Sequence, residues 1–189
     1  MPEWSGLRLA RSEDLPALSR LATWVWLQTY ADRGVRPAFV DYLQTTFDPA
    51  AHEAWLGEEG RCWLVEEGGH LQGFLRVRLG SPCPCPLPTD PARDTGATET
   101  VDAEICQLYV APPLARSGLG RRLLAHAREQ LASRALWLSV WALNERAIAF
   151  YEAQRGRRLG ETWFELEQQR HPNWIYAWPP LRPASGSLP

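Results

Sequence analysis

The stretch LYVAPPLARSGLGRRLLAHA, Leu108 to Ala127, combines features that together can hold an anion. An apolar run stops at Pro112 and Pro113, passes through Ser117-Gly118-Leu119-Gly120, and resumes at helical spacing with Leu119, Leu123, Leu124 and Ala127. The first turn of a helix leaves several backbone N–H groups unpaired and carries roughly half a positive charge. Glycines let that backbone approach a ligand closely, so a strand, a glycine turn and a helix form a cradle for phosphate. Arg116, Arg121 and Arg122 add formal charge beside it. A Walker loop is excluded, because it needs a lysine and the chain has none. A dinucleotide fingerprint needs a third glycine where Leu123 stands. A plain turn explains the same glycines, so the turn alone does not decide the ligand.

The elements that must position this turn follow from periodicity. A short strand in LRLA precedes Ser12, which with Glu13 and Asp14 reads as the N-cap of a first helix carrying Leu15, Leu18, Leu21, Ala22 and Val25. A second helix is predicted over RPAFVDYLQTTF and a short third over PAAHEAWLG. RCWLVEEGGHLQGFLRVRLG reads as two strands joined in a hairpin at Glu-Gly-Gly. SPCPCPLPTDPARDTGATET is a loop of about twenty residues, a length that is usually functional or disordered. In VDAEICQLYV the apolar residues change phase between Ile105 and Cys106. Either a β-bulge near Cys106–Gln107 or a strand buried on both faces explains it. After the glycine turn come a helix, the strand ALWLSVWAL, the helix NERAIAFYEAQRG, and two strands in RRLGETWFELE and NWIYAW, with RHP as a turn between them. The β-α-β-α run after residue 101 predicts parallel pairing there.

Composition narrows the function classes. The length of 189 residues and 45% hydrophobic content suit one folded domain, expected over 1–178 with a flexible tail over 179–189. A net charge of −2 argues against a nucleic-acid partner. No apolar run reaches membrane-spanning length, and MPEWSGLRLARSEDL lacks the apolar centre of a secretory signal, so a cytoplasmic protein is expected. Residues 1–104 carry 16 acids against 9 arginines (−7), and residues 105–189 carry 6 against 11 (+5). That asymmetry suits an anionic ligand at one end and a cationic one at the other. Cys83 and Cys85 have no second Cys/His pair at metal-ligand spacing, so all four cysteines read as free thiols and no metal is expected.

Two patterns in order now carry a resemblance. ICQLYVAPPLARSGLGRRLL is similar to the acetyl-CoA-binding segment of the GNAT superfamily of N-acetyltransferases, and LSVWALNERAIAFYE, with Asn144, Ala147, Phe150 and Tyr151, to that family's following strand and helix. The resemblance covers about residues 101–162. It implies a mixed α/β fold: a central mixed sheet of six or seven strands, helices on both faces, and a bulged, splayed strand pair at the cofactor site. It implies acetyl-CoA as cofactor, bound by Leu108, Tyr109, Val110, Arg116, Ser117, Gly118, Leu119, Gly120, Arg121, Asn144 and Tyr151, and a primary amine of a small molecule or peptide as acceptor. A homodimer is expected from the same resemblance. Two positions depart from the family pattern: Ala115 replaces a glutamine or arginine, and Gly156 comes one residue late.

Acetyl transfer to an amine needs a base, because a free amine is mostly protonated at neutral pH. Glu104 matches a family carboxylate and is the candidate base, directly or through water; a strand-surface glutamate is the plainer reading. Tyr151 matches the tyrosine facing the coenzyme sulfur. Its phenol, of ordinary pKa about 10, can protonate a thiolate of pKa about 8.5. The Leu108 amide is a candidate oxyanion donor. Asn144 also suits a helix N-cap. Trp24, Trp26 and Tyr30 are candidates for the acceptor wall, with Asp90, Asp94, Glu99 and Asp102 to attract the amine and His171 as a possible neighbour; tryptophan at helical spacing is equally a core residue. Two rival readings stay open: a non-catalytic acyl-CoA-binding module, and a structural subunit that dimerises through its C-terminal strands.

Overall fold

The computed structural model describes residues 6–57, 59–86, 101–166 and 169–181. Seven strands form one sheet in the order β1-β2-β3-β4-β5-β7-β6. The strands are β1 (Leu7–Leu9), β2 (Gly60–Glu67), β3 (His70–Leu79), β4 (Ala103–Val110), β5 (Leu136–Trp141), β6 (Arg157–Leu166) and β7 (Gln169–Trp178). Four helices join them: α1 (Leu15–Tyr30), α2 (Pro37–Thr46), α3 (Leu119–Gln130) and α4 (Glu145–Ala153). The chain divides into two compact units, one of residues 1–78 and 106–125, the other of 79–105 and 126–189, so the boundary passes through β4.

In the first unit, β1 and β3 pair antiparallel with β2, and the β2–β3 hairpin turns at Gly68 and Gly69. Gly73 faces Leu119 and Leu123 of α3, whose side chains lie 3.3 and 3.4 Å from where a Cβ would stand. The next residue, Phe74, turns the other way and meets Trp55 and Tyr109, with Phe47 also against Tyr109. Helical segments therefore cover both faces, as side-chain alternation requires. The buried stripe of α1 is Leu15, Leu18, Ser19, Leu21, Ala22 and Trp26; Val25 is only half-buried. Ser12 does not cap α1. It opens a 3₁₀ turn over Ser12–Asp14, and Asp14 accepts from the Arg11 amide at 2.8 Å while Arg8 grips both of its oxygens. Trp26 centres a cluster with Tyr30, Phe39 and Tyr42 at ring distances of 4.8, 5.0 and 5.2 Å. Pairs of this kind contribute about 0.5–1.5 kcal/mol each beyond burial. The segment predicted as a third helix is a 3₁₀ turn, Ala51–Leu56, in which His52 stacks on Trp55.

In the second unit, β4 and β5 pair in parallel through Ala103↔Leu136 and Glu104↔Trp137. β7 lies antiparallel between β5 and β6. Tyr176 and Trp178 of β7 face α4: the Tyr176 hydroxyl donates to Glu152 at 2.8 Å, and Tyr151 lies 5.9 Å from Trp178. The alternate residues Trp137, Ile175 and Ala177 pack against Cys83, Cys85, Val101 and Leu159. The final strand begins at Gln169, not Asn173, so the segment RHP is strand rather than turn. β5 ends at Trp141, and just past it the Ala142 amide donates to Pro172 O at 2.9 Å, so the missing N–H of Pro172 falls beyond the β5 ladder, where it is tolerated. All four cysteines are free, and burial pushes the Cys62 thiol up to about 12.

The phase change in β4 coincides with a change in burial. Ala103 and Ile105 are buried, and Cys106 to Val110 are all half-buried. In the first unit the Ala111 amide reaches Gln72 O; in the second the Ser81 amide reaches Asp102 O.

Candidate functional site

The glycine turn sits in the first unit, where β4 passes through a 3₁₀ turn at Pro112–Leu114 into α3. Leu119 and Leu123 are 2% and 0% exposed and pin the start of α3 to the sheet. Fully burying one such leucine is worth about 1.5–3 kcal/mol. Arg116 and Gly118 both adopt left-handed backbone, with φ of 69° and 90°. A Cβ on Gly118 would meet only Arg121 Nη2, at 3.9 Å, so the space in front of the turn is open. The Ser117 amide is spent on Leu114 O, Leu119 N lies 3.4 Å from Ser117 Oγ, and Arg122 N bonds Gly118 O. Among the described residues, the amides of Gly118, Gly120 and Arg121 have no oxygen partner. Three unspent donors at a helix start, flanked by the exposed guanidiniums of Arg116 and Arg121, are an arrangement that can hold an anion.

Leu108, Tyr109 and Val110 are half-buried. The Tyr109 ring belongs to the core, 5.6 Å from Phe74, so what this residue can offer a ligand is its backbone.

In the second unit, Glu104 is half-buried opposite Trp137 and accepts from Ser81 Oγ at 2.8 Å. Nothing in the sequence singles out Ser81, since a serine before proline reads as ordinary loop. Asn144 is the N-cap of α4, its Oδ1 accepting from the Ala147 amide at 3.1 Å. Tyr151 is half-buried against Phe150, Tyr176 and Trp178. Its carbonyl accepts from both Gln154 and Gly156 at the end of α4. The late glycine has a physical reason: Arg155 takes the left-handed conformation, with φ of 63°. A Cβ on Gly156 would stand 2.8 Å from the Trp178 ring and 2.9 Å from Tyr151 O.

The expected acceptor wall divides. Trp26 is 4% exposed inside its aromatic cluster, so it serves the core rather than a wall. Tyr30 stacks on it, and burial pushes the Tyr30 phenol up to about 12. Trp24 points elsewhere and is 46% exposed. Asp102 is not free to attract an amine, because it binds Arg134 at 2.7 Å. Asp90, Asp94 and Glu99 lie outside the described residues. His171 lies within β7, opposite Phe164. Among the described residues no group of three His, Cys, Asp or Glu converges as metal ligands, and no helix is long and apolar enough to cross a membrane.

The sequence model of the acetyltransferase (GNAT) family matches residues 19–156, more than two thirds of the chain. The chain belongs to this family. Over 173 residues it is 25% identical to the peptidyl-lysine N-acetyltransferase YiaC of Escherichia coli K12, covering 92% of this chain and 96% of that one. Over 121 residues it is 44% identical to the ribosomal protein bS18-alanine N-acetyltransferase of Salmonella typhimurium, covering 60% and 77%. In fold it is similar to the PaiA N-acetyltransferase of Thermoplasma acidophilum, solved with coenzyme A, with a TM-score of 0.62 at 16% identity over 92% of this chain and 97% of that one. The glycine turn and Tyr151 of this acetyltransferase both lie inside the matched span. The span extends well beyond the two motifs, back into α1.

Proposed function

We propose that this acetyltransferase uses acetyl-CoA and transfers the acetyl group to a primary amine by direct attack while donor and acceptor are both bound. The observation that carries the reading is the set of unspent amides at Gly118, Gly120 and Arg121, beside Arg116 and Arg121 and behind a turn with open space before it. That donor set fits a diphosphate, and Ala115 costs nothing essential, because the backbone makes the contacts. Acetyl-CoA supplies an acetyl group already activated as a thioester. The backbone of Leu108 to Val110 would hold the amides of the pantetheine arm, and the Leu108 amide would donate to the acyl oxygen. Glu104 takes a proton from the acceptor ammonium, directly or through one water, and Tyr151 gives a proton to the departing sulfur. Asn144 caps α4 and so fixes the helix that carries Tyr151.

Relatives that act on peptidyl lysine and on an alanine of a ribosomal protein support a peptide or protein amine as acceptor. A small-molecule amine is the other arm of the test. Thiol release with acetyl-CoA is measured against a lysine-containing peptide, an alanine N-terminal peptide and a panel of small amines. Turnover with at least one class is expected. Binding of acetyl-CoA by calorimetry with no thiol release for any amine would contradict the proposal and leave a binding module.

A further inference from the structure

We infer that Ser81 is the positioning residue for the base of this reaction, holding the Glu104 carboxylate through its hydroxyl; the inference rests on the reading of Glu104 as that base. Three bonds converge on Ser81. Its hydroxyl donates to Glu104 Oε2 at 2.8 Å. Its carbonyl accepts from the Trp137 indole N–H at 2.8 Å. Its amide donates to Asp102 O at 2.9 Å. Two residues on, the Cys83 amide reaches Val101 O at 2.8 Å, so this backbone is tied at two points to the residues that lead into β4, the strand that carries Glu104.

Glu104 and Trp137 are themselves partners in the parallel ladder between β4 and β5. Ser81 thus clasps both members of one pair, one through its side chain and the other through its main chain. Asp102, which receives the Ser81 amide, is in turn held by Arg134 at 2.7 Å. A glutamate has three rotatable side-chain bonds, and a free one at a half-buried position samples several rotamers. A hydroxyl on a fixed backbone, donating to one carboxylate oxygen, selects one of them. Hydrogen bonds to an ionised acceptor are short and strong, and a base must be aimed before it can accept a proton. The loop backbone is secured by main-chain bonds of its own, from the Ser81 amide to Asp102 O and from the Trp137 indole to Ser81 O.

That division makes the inference testable, because Ser81→Ala removes the hydroxyl and keeps both main-chain bonds. Steady-state kinetics with the best acceptor are run on Ser81→Ala, Ser81→Thr, Glu104→Gln and the Ser81→Ala/Glu104→Gln double variant, with acetyl-CoA binding followed by calorimetry as the measure of folding. Ser81→Ala is expected to lose roughly tenfold in kcat with acetyl-CoA affinity and its KM unchanged. Ser81→Thr, which keeps a hydroxyl, is expected to recover most of that loss. In the Glu104→Gln background, adding Ser81→Ala is expected to change kcat little. Full kcat in Ser81→Ala beside a slow Glu104→Gln would overturn the positioning role and leave the base intact. The same fold-loss in both backgrounds would also overturn it. Full kcat in Glu104→Gln would instead remove the base, and the inference with it.

Discussion

Tyr151 faces two aromatic rings of β7, and its carbonyl closes the end of α4, so the residue is held from both its side chain and its backbone. Replacement by phenylalanine keeps the aromatic ring and removes the hydroxyl, and with it the proton it could give. If the phenol protonates the departing sulfur, Tyr151→Phe lowers kcat by about 10²-fold with little change in KM for acetyl-CoA. Unchanged turnover with a good acceptor contradicts the role. His52 makes a different argument at the same scale. It is 0% exposed, its Nε2 bonds Thr46 O at 3.1 Å, and its Nδ1 has no partner. Burial holds this imidazole below its ordinary 6.5; the Arg76 guanidinium adds to the effect, and the Thr46 carbonyl and Asp48 oppose it. The folded state therefore binds fewer protons at this site than the unfolded chain does. The stability it gives is present above pH ~6.5 and is lost as pH falls below that. Thermal melts at pH 7.5 and 5.5 should show a smaller fall in Tm for His52→Phe than for the unaltered protein. Equal falls would assign the acid sensitivity to other groups.

Among the elements, α4 shows how a departure from a sequence pattern is accommodated. The left-handed turn stays at position 155, where the family spacing places its glycine, so Arg155 takes it and Gly156 follows beneath Trp178. A methyl there overlaps the Trp178 ring and Tyr151 O. Gly156→Ala is therefore expected to destabilise the protein by about 1–3 kcal/mol, read as a lowered denaturation midpoint in urea. A midpoint within error of the parent would show that the ring moves aside freely. Elements built from local signals were legible in the sequence. The glycine turn, the buried leucines of α3 and the Asn144 cap each depend on neighbours within a few residues. What needed distant partners was not legible. Ser12 looked like a cap, but it opens a 3₁₀ turn instead, and Asp14, held by Arg8, turns its carboxylate back to the Arg11 amide. Trp26 looked like a pocket wall until Phe39 and Tyr42 of α2 enclosed it. Pro172 looked like a turn because the end of its strand neighbour β5 is set by the sheet and not by the local residues.

For the molecule as a whole, the alternation of strands and helices after residue 101 predicted parallel pairing, and β4 and β5 pair in parallel; the strand order, with β7 between β5 and β6, was not legible. The family was readable because its two motifs stand in order at a fixed separation, which composition alone could not supply. Ser81 stayed hidden because its meaning depends on Glu104, 23 residues away in sequence. Donor binding, as proposed, has the main-chain nitrogens of the turn before α3 holding the diphosphate. The most direct test is a titration of acetyl-CoA into uniformly ¹⁵N-labelled protein, following the amide resonances of Gly118, Gly120 and Arg121. Large, saturable shifts at these three positions, tracking the calorimetric affinity, are the predicted result. Resonances that stay in place while acetyl-CoA binds and turns over would contradict it.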